Sequence, residues 1–271
     1  MHPLTNSSII QDLGTSLGTH TCDETLDHLA NSVHTLDVGH GWSSWCRRAA
    51  KMGVSSIQFV DIDPLDATLR FEKGTYRICI NSKRPRTRQI FSLAHELAHV
   101  AMEQRLPYLA SDLKNRSLFV TDFNEEEEAL ANSLAARMLM PRKTVSQIVS
   151  EFGNGIGAIQ EMTRTFGTSV QAASRRITEV GERIACLLFR LEQNAERLRF
   201  RSLAAWNLPF LLRLFYPWML CAKQIGLRPS TGVIQRITIG FPVSTSTTAD
   251  FECEARCNSN REVIVATSMA T

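Results

Sequence analysis

The stretch that most constrains this chain is His95-Glu96-Leu97-Ala98-His99. On an α-helix, residues four apart share a face, so His95 and His99 can present two imidazoles to one point. Neutral imidazole is a good ligand for Zn²⁺, and Glu96 then stands where its carboxylate could reach a water held by such an ion. With 7 His and 17 Glu in 271 residues, a pattern of this form arises by chance in roughly one such chain in ninety. The pentapeptide alone is therefore suggestive, and its surroundings have to decide.

Those surroundings read as a helix over residues 87–104, with Thr87 as the expected N-cap and Pro107 beyond its end. Ile90, Phe91, Leu93, Ala94, Leu97, Ala98, Val100 and Ala101 cover most of its circumference. Gln89, Ser92, His95, Glu96, His99 and Glu103 break the apolar surface along one stripe. A helix apolar nearly all round is a buried helix. Histidines and glutamates buried there need hydrogen bonds or a metal, because leaving them without partners is costly.

Upstream, residues 1–22 are rich in Ser, Thr, Asn and Gly and are expected to form a flexible arm. One helix is expected over 22–40, from the spacing of Leu26, Leu29, Ala30 and Val33, and another over 42–52, stopped by Gly53. The period then changes to that of strands: 56–62, and a hairpin of 67–71 with 76–81 around Lys73-Gly74. Downstream, a loop over 106–123 leads to a helix over 124–140. Its acidic first turn, Glu125 to Glu128, suits the positive end of the helix dipole, and Pro141 closes it.

A catalytic zinc site normally has three protein ligands and an open position. No histidine follows His99, so the third ligand is a carboxylate or cysteine elsewhere, or one of His20, His28, His34 and His40. The acidic turn of the 124–140 helix supplies candidates. Glu128 is favoured because Asn132, one turn on, shares its face and could hold the second ring nitrogen of a ligand histidine. Glu125 is the alternative on that face. Glu126 and Glu127 are expected to point elsewhere.

The run Arg88-Gln89-Ile90-Phe91-Ser92-Leu93-Ala94-His95-Glu96-Leu97-Ala98-His99 resembles the signature of the ImmA/IrrE-type metallopeptidases. So does the run from Glu128 through Ala131-Asn132 to Leu139-Met140-Pro141. Leu134 stands where that family usually has Phe, and Leu130 where it usually has a second Glu. The likeness covers about residues 40–182, and it implies that Glu128 is the third zinc ligand beside His95 and His99.

The chemistry expected is metal-assisted peptide hydrolysis, with one Zn²⁺ per chain (Mn²⁺ as the alternative) and Glu96 as the proton-transferring base. The resemblance implies cleavage of a helix-turn-helix repressor, which would relieve repression of stress-response or mobile-element genes. No oxyanion-stabilising Tyr, His or Arg is identifiable from the sequence. By analogy with zincin-like folds, the 76–81 strand is expected to bind an extended substrate at a sheet edge.

Residues 156–180 carry helical apolar spacing at Ile156, Ile159, Met162 and Phe166, then Gly167-Thr168-Ser169, then Val170, Ala173 and Ile177. This helix-turn-helix pattern, which the family commonly has here, supports two readings. It is a packing module, or it binds DNA through Arg175 and Arg176, a thin supply for phosphate contacts. The alternative function is thus a DNA-binding regulator with a structural or vestigial metal site. Beyond Gly181, hairpins are expected for 185–191 with 198–203, around Gln193-Asn194, and for 251–256 with 262–267, around Asn258-Ser259-Asn260.

The expected fold is α+β in four parts. Residues 1–40 are an N-terminal extension, 41–145 a minimal zincin-like domain, and 146–182 a helix-turn-helix-like unit. Residues 183–271 form a mixed α/β or β-rich domain with a sensory or dimerising role. The net charge of +3 is mild and does not by itself argue for nucleic acid; 24 Arg against 6 Lys reads as a GC-rich coding genome, with anion or phosphate binding as the second reading. Seven scattered cysteines without a C-x-x-C pair, and no secretory leader pattern, point to a cytoplasmic protein with reduced thiols. The apolar stretch 203–221 contains Arg213, whose central placement would cost roughly 2.5–3.5 kcal/mol in a membrane span. It is expected to be buried or partner-facing.

Overall fold

The computed structural model describes residues 4, 7–37, 39–109, 125–180, 184–194, 197–206, 234–242, 248–257 and 262–268. The loop at 110–123, the apolar stretch 207–221 and the turn at 258–260, on which sequence expectations also fall, lie outside them. The chain divides into two compact units, 1–142 with 165–168, and 143–164 with 169–271. Among the described residues the architecture is α+β, with eight helices and a small three-stranded sheet consistent with a zincin-like domain.

In the first unit, helices α1 (Ser8–Leu17), α2 (Cys22–His34) and α3 (Trp42–Lys51) precede strands β1 (Val54–Val60), β2 (Ala67–Glu72) and β3 (Thr75–Asn81). Helices α4 (Arg86–Arg105) and α5 (Glu125–Leu139) follow. The strand order is β1-β3-β2, with β1 parallel and β2 antiparallel to β3. Lys73 and Gly74, at φ 52° and 79°, make the two-residue turn whose twist matches a hairpin. Tyr76, Ile78 and Ile80 of β3 are buried by strand alternation, and α4 packs on the sheet and against α5. Leu93, Ala94, Leu97 and Ala98 of α4, and Leu130, Ala131, Leu134 and Ala135 of α5, are fully buried. The expected N-cap Thr87 lies inside α4, which begins after Pro85; a proline at a helix start loses no helical hydrogen bond.

Where a flexible arm is expected, the structure has α1. Ser7 caps it by accepting from the Ile10 amide at 3.1 Å, and Gly18 ends it in the left-handed region at φ 67°. Ile9, Ile10 and Leu13 are buried. Glu126, at the start of α5, accepts from the Ile9 amide at 3.0 Å and from the Ser7 hydroxyl. A ten-residue helix is marginal alone, so these contacts from across the chain stabilise it.

A buried arginine ties α5 to α2. Arg137, 2% exposed, donates to Asp27 at 2.6 Å and to Asp23, residues four apart on one face of α2. Asp27→Ala should lower stability by about 3 kcal/mol, the low end for breaking a buried ion pair, because Asp23 still faces the guanidinium. Urea unfolding of the variant against the parent checks this, and an unchanged midpoint would mean the pair adds nothing. A second buried arginine, Arg48 of α3, donates to the Asp37 carbonyl at 2.8 Å and the Gly39 carbonyl at 2.6 Å, and stacks over Trp45 at 4.5 Å.

The second unit is built on most of α6 (Arg142–Phe152) and of α7 (Ile156–Phe166), on α8 (Val170–Val180) and on a five-stranded antiparallel sheet. Its strands are β4 (Ile184–Asn194), β5 (Arg197–Trp206), β6 (Ile234–Pro242), β7 (Thr248–Cys257) and β8 (Glu262–Ser268), in the order β5-β4-β8-β7-β6. Gln193 and Asn194, expected as a turn, are still paired with Leu198 and Arg197 in the ladder. Gly167 takes φ 65° between α7 and α8, and Ser169 accepts from the Ala172 amide at 3.1 Å to cap α8. Arg176 is 1% exposed, and both Arg175 and Arg176 pair with Glu179, at 3.0 and 3.1 Å. No described helix is long and apolar enough to cross a membrane.

Candidate metal centre

Helix α4 carries His95 and His99 one turn apart, and α5, packed against it, brings Glu128 to meet them. His95 Nε2 lies 3.2 Å from His99 Nε2 and 3.1 Å from Glu128 Oε2, and His99 Nε2 lies 3.4 Å from Glu128 Oε1. Tetrahedral zinc with bonds of 2.0–2.1 Å separates its ligand atoms by about 3.3–3.4 Å. The two histidine nitrogens and the Glu128 carboxylate, which meets His95 through Oε2 and His99 through Oε1, thus form a triangle of groups at roughly the spacing of ligands around one zinc ion. Two imidazoles and one carboxylate are also a donor set that zinc accepts. Among the described residues, this is the one group of three such ligands that converges.

Electrostatics favour a cation at that triangle. Burial pushes the Glu128 carboxyl up, but hydrogen bonds and charge from both histidines outweigh it and hold Glu128 well below the usual carboxylate range. For His99, burial opposes protonation, yet Glu127, Glu128 and Glu96 together raise it to about 9. The field of these carboxylates draws positive charge, whether a proton or a metal ion.

Glu96 is buried on the same helix and lines a cavity of about 240 Å³ with His95, Glu128 and Asn132. The rim is polar: Asp66, just before β2, accepts from Arg84 and Arg88, each at 2.6 Å, and Arg88 also lines the cavity. A larger hollow of about 830 Å³ lies along α1 and α2 and holds no such ligand group.

Several expectations change. Asn132 lines the cavity and is exposed; of the two ring nitrogens it could hold, His99 Nδ1 lies against Glu127, and His95 Nδ1 has no hydrogen-bond partner among the described residues. His99 Nδ1 lies 2.7 Å from Glu127 Oε1, with both side chains 2% exposed, so Glu127 does not point elsewhere. The two nitrogens of one imidazole face opposite ways, which lets adjacent glutamates on α5 flank a single ring. His95 Nδ1 is buried, with no hydrogen-bond partner among the described residues.

Glu125, the alternative ligand, is exposed and outside the converging group. Of the early histidines, His34 Nδ1 lies 3.1 Å from the Arg48 guanidinium, which can only donate, and His40 packs edge-on against Phe166. Burial first, then Arg48, push His34 down to about 4. These two rings serve the fold. Finally, β3 is the central strand, paired on both sides, so it cannot add a peptide at an edge. The strand edge beside the cavity belongs to β2, whose Ala67 lines it.

Residues 49–178 match the peptidase M78 family model, described as the IrrE N-terminal-like domain. No curated protein matches the chain. Among solved structures, a Mycobacterium tuberculosis transcriptional regulator is similar at 14% identity and a TM-score of 0.53, over 98% of this chain and 82% of that one. At that identity the likeness is one of fold.

Proposed function

We propose that this chain, which belongs over residues 49–178 to the ImmA/IrrE family, is a zinc-dependent endopeptidase. His95, His99 and Glu128 are its metal ligands, and Glu96 is its general base and acid. The observation that carries this reading is the convergence of the two imidazole Nε2 atoms and the Glu128 carboxylate, with contacts of 3.1–3.4 Å among them, beside a cavity that Glu96 also lines.

A zinc ion bound at the triangle would acidify a water and polarise the scissile carbonyl. Glu96 takes the proton from that water and passes it to the leaving amine nitrogen, which cannot depart as an anion. Burial of Glu96 beside His99 keeps its carboxylate close to the reacting atoms rather than out in solvent. The edge of β2, unpaired among the described residues, offers amides and carbonyls to an extended peptide, and Ala67 lines the same cavity as Glu96.

By the family resemblance, the substrate is a helix-turn-helix repressor, and cleavage releases stress-response or mobile-element genes. The competing reading, a DNA-binding regulator, is weakened because its candidate phosphate contacts Arg175 and Arg176 are both engaged by Glu179. The test is to incubate the chain with the repressor encoded beside its gene, with and without a zinc chelator. A discrete fragment only in the chelator-free sample is expected. A fragment that persists under chelation overturns the metal-dependent mechanism, and an uncut repressor overturns the substrate.

A further inference from the structure

The acidic turn that opens α5 puts three successive glutamates to three different uses. Glu126 caps α1, Glu128 faces the two Nε2 atoms, and Glu127 lies against the far edge of the His99 ring. That last contact is the most buried in the site, with both side chains 2% exposed at 2.7 Å. A carboxylate sunk to that degree is expensive to desolvate unless it is paired, and at this site it meets the His99 ring.

We propose that Glu127 is a positioning residue for the metal centre: it accepts a hydrogen bond from His99 Nδ1–H, so that the lone pair of His99 Nε2 is turned toward the metal. The inference rests on the proposed metal centre at His95, His99 and Glu128. An ionised carboxylate can only accept, so the proton sits on Nδ1 and the other nitrogen is left as a ligand. The negative charge behind the ring also makes Nε2 a stronger donor, as outer carboxylates do in other histidine–metal sites.

The two ligand histidines are unequal in this respect. His95 Nδ1 has no hydrogen-bond partner among the described residues, and its ring lies near Phe91, at 6.4 Å between ring centres, and meets Glu128 through Nε2. Among those residues a glutamate thus faces His99 at both ring nitrogens and His95 at one. Glu127 cannot replace Glu128 as a ligand without leaving Nδ1, because the ring stands between it and the triangle.

The test is competition of the full-length chain against a chromophoric zinc chelator, for the parent, Glu127→Gln and Glu127→Leu. Metal-free unfolding of each is measured alongside, with the visible spectrum of the cobalt-substituted chain. Outer-shell partners typically contribute 10–100-fold to metal affinity. Glutamine keeps an acceptor but loses the charge, so about a tenfold loss of zinc affinity is expected. Leucine loses both, and its loss should approach a hundredfold, with an altered cobalt spectrum. A role in packing alone would move metal-free stability and leave zinc affinity and the cobalt spectrum in place.

If both variants bind zinc within about twofold of the parent, the inference is overturned while the metal centre stands. If Glu127→Leu does not fold, Glu127→Gln carries the comparison alone. A parent chain that takes up no stoichiometric zinc overturns the metal centre itself and this inference with it.

Discussion

Glu96→Gln should retain zinc and lose peptide hydrolysis by about 10²–10⁴-fold, the usual contribution of a positioned general base. That loss corresponds to about 2.7–5.5 kcal/mol of transition-state stabilisation. Metal is retained because Glu96 is not one of the three converging ligands. An amide of nearly the same shape can still orient water, but it cannot take its proton or return it to the departing nitrogen. The fold should be indifferent to the change, since glutamine fills the same volume beside His99. Zinc content and kcat/KM measured on one preparation check both halves. Full activity in this variant would remove Glu96 from the mechanism, and loss of zinc would mean it acts on the metal instead.

His99→Ala is expected to abolish stoichiometric zinc binding and activity together, and to weaken the fold. The substitution removes one corner of the ligand triangle and also the imidazole against which Glu127 is buried at 2.7 Å. Breaking one side of a buried ion pair costs about 3–5 kcal/mol. His99 is raised to about 9, so its imidazole is charged in the metal-free fold at neutral pH and that cost applies there. Metal-free unfolding by urea separates this loss from the loss of the ligand. His95→Ala should also lose zinc, but at a smaller cost to the metal-free chain, because it takes a partner from Glu128, 27% exposed, whereas His99 also faces Glu127, 2% exposed. Equal destabilisation by the two substitutions would contradict this asymmetry.

What the sequence could disclose follows from the range of the interactions involved. Helix α4 was legible because its polar stripe interrupts an otherwise apolar surface, and that pattern is local. The β2–β3 hairpin was legible for the same reason, through Lys73-Gly74 and the alternation of Tyr76, Ile78 and Ile80. Helix α1 was not: its Ser- and Thr-rich stretch is held by Glu126, more than a hundred positions away, and by burial of Ile9, Ile10 and Leu13.

The same limit appears at the metal centre. Helical spacing and the family resemblance both point to Glu128. Helical spacing also argues against its neighbour Glu127, because adjacent residues diverge. The rule fails where the partner is a ring with two opposed nitrogens, which only the packing of α5 on α4 reveals. Strand order is equally nonlocal. Nothing in the 76–81 segment says that β1 will pair beside it and leave β2 as the edge near the site.

The fourth position of the metal distinguishes a catalytic centre from a structural one, because structural zinc sites close all four with protein. The most direct measurement is an anomalous difference map at the zinc edge from crystals of the zinc-loaded chain. The account predicts one strong peak, about 2.0–2.2 Å from His95 Nε2, His99 Nε2 and a Glu128 carboxylate oxygen, with no fourth protein ligand. A peak elsewhere, or a fourth side chain closing the tetrahedron, would contradict it.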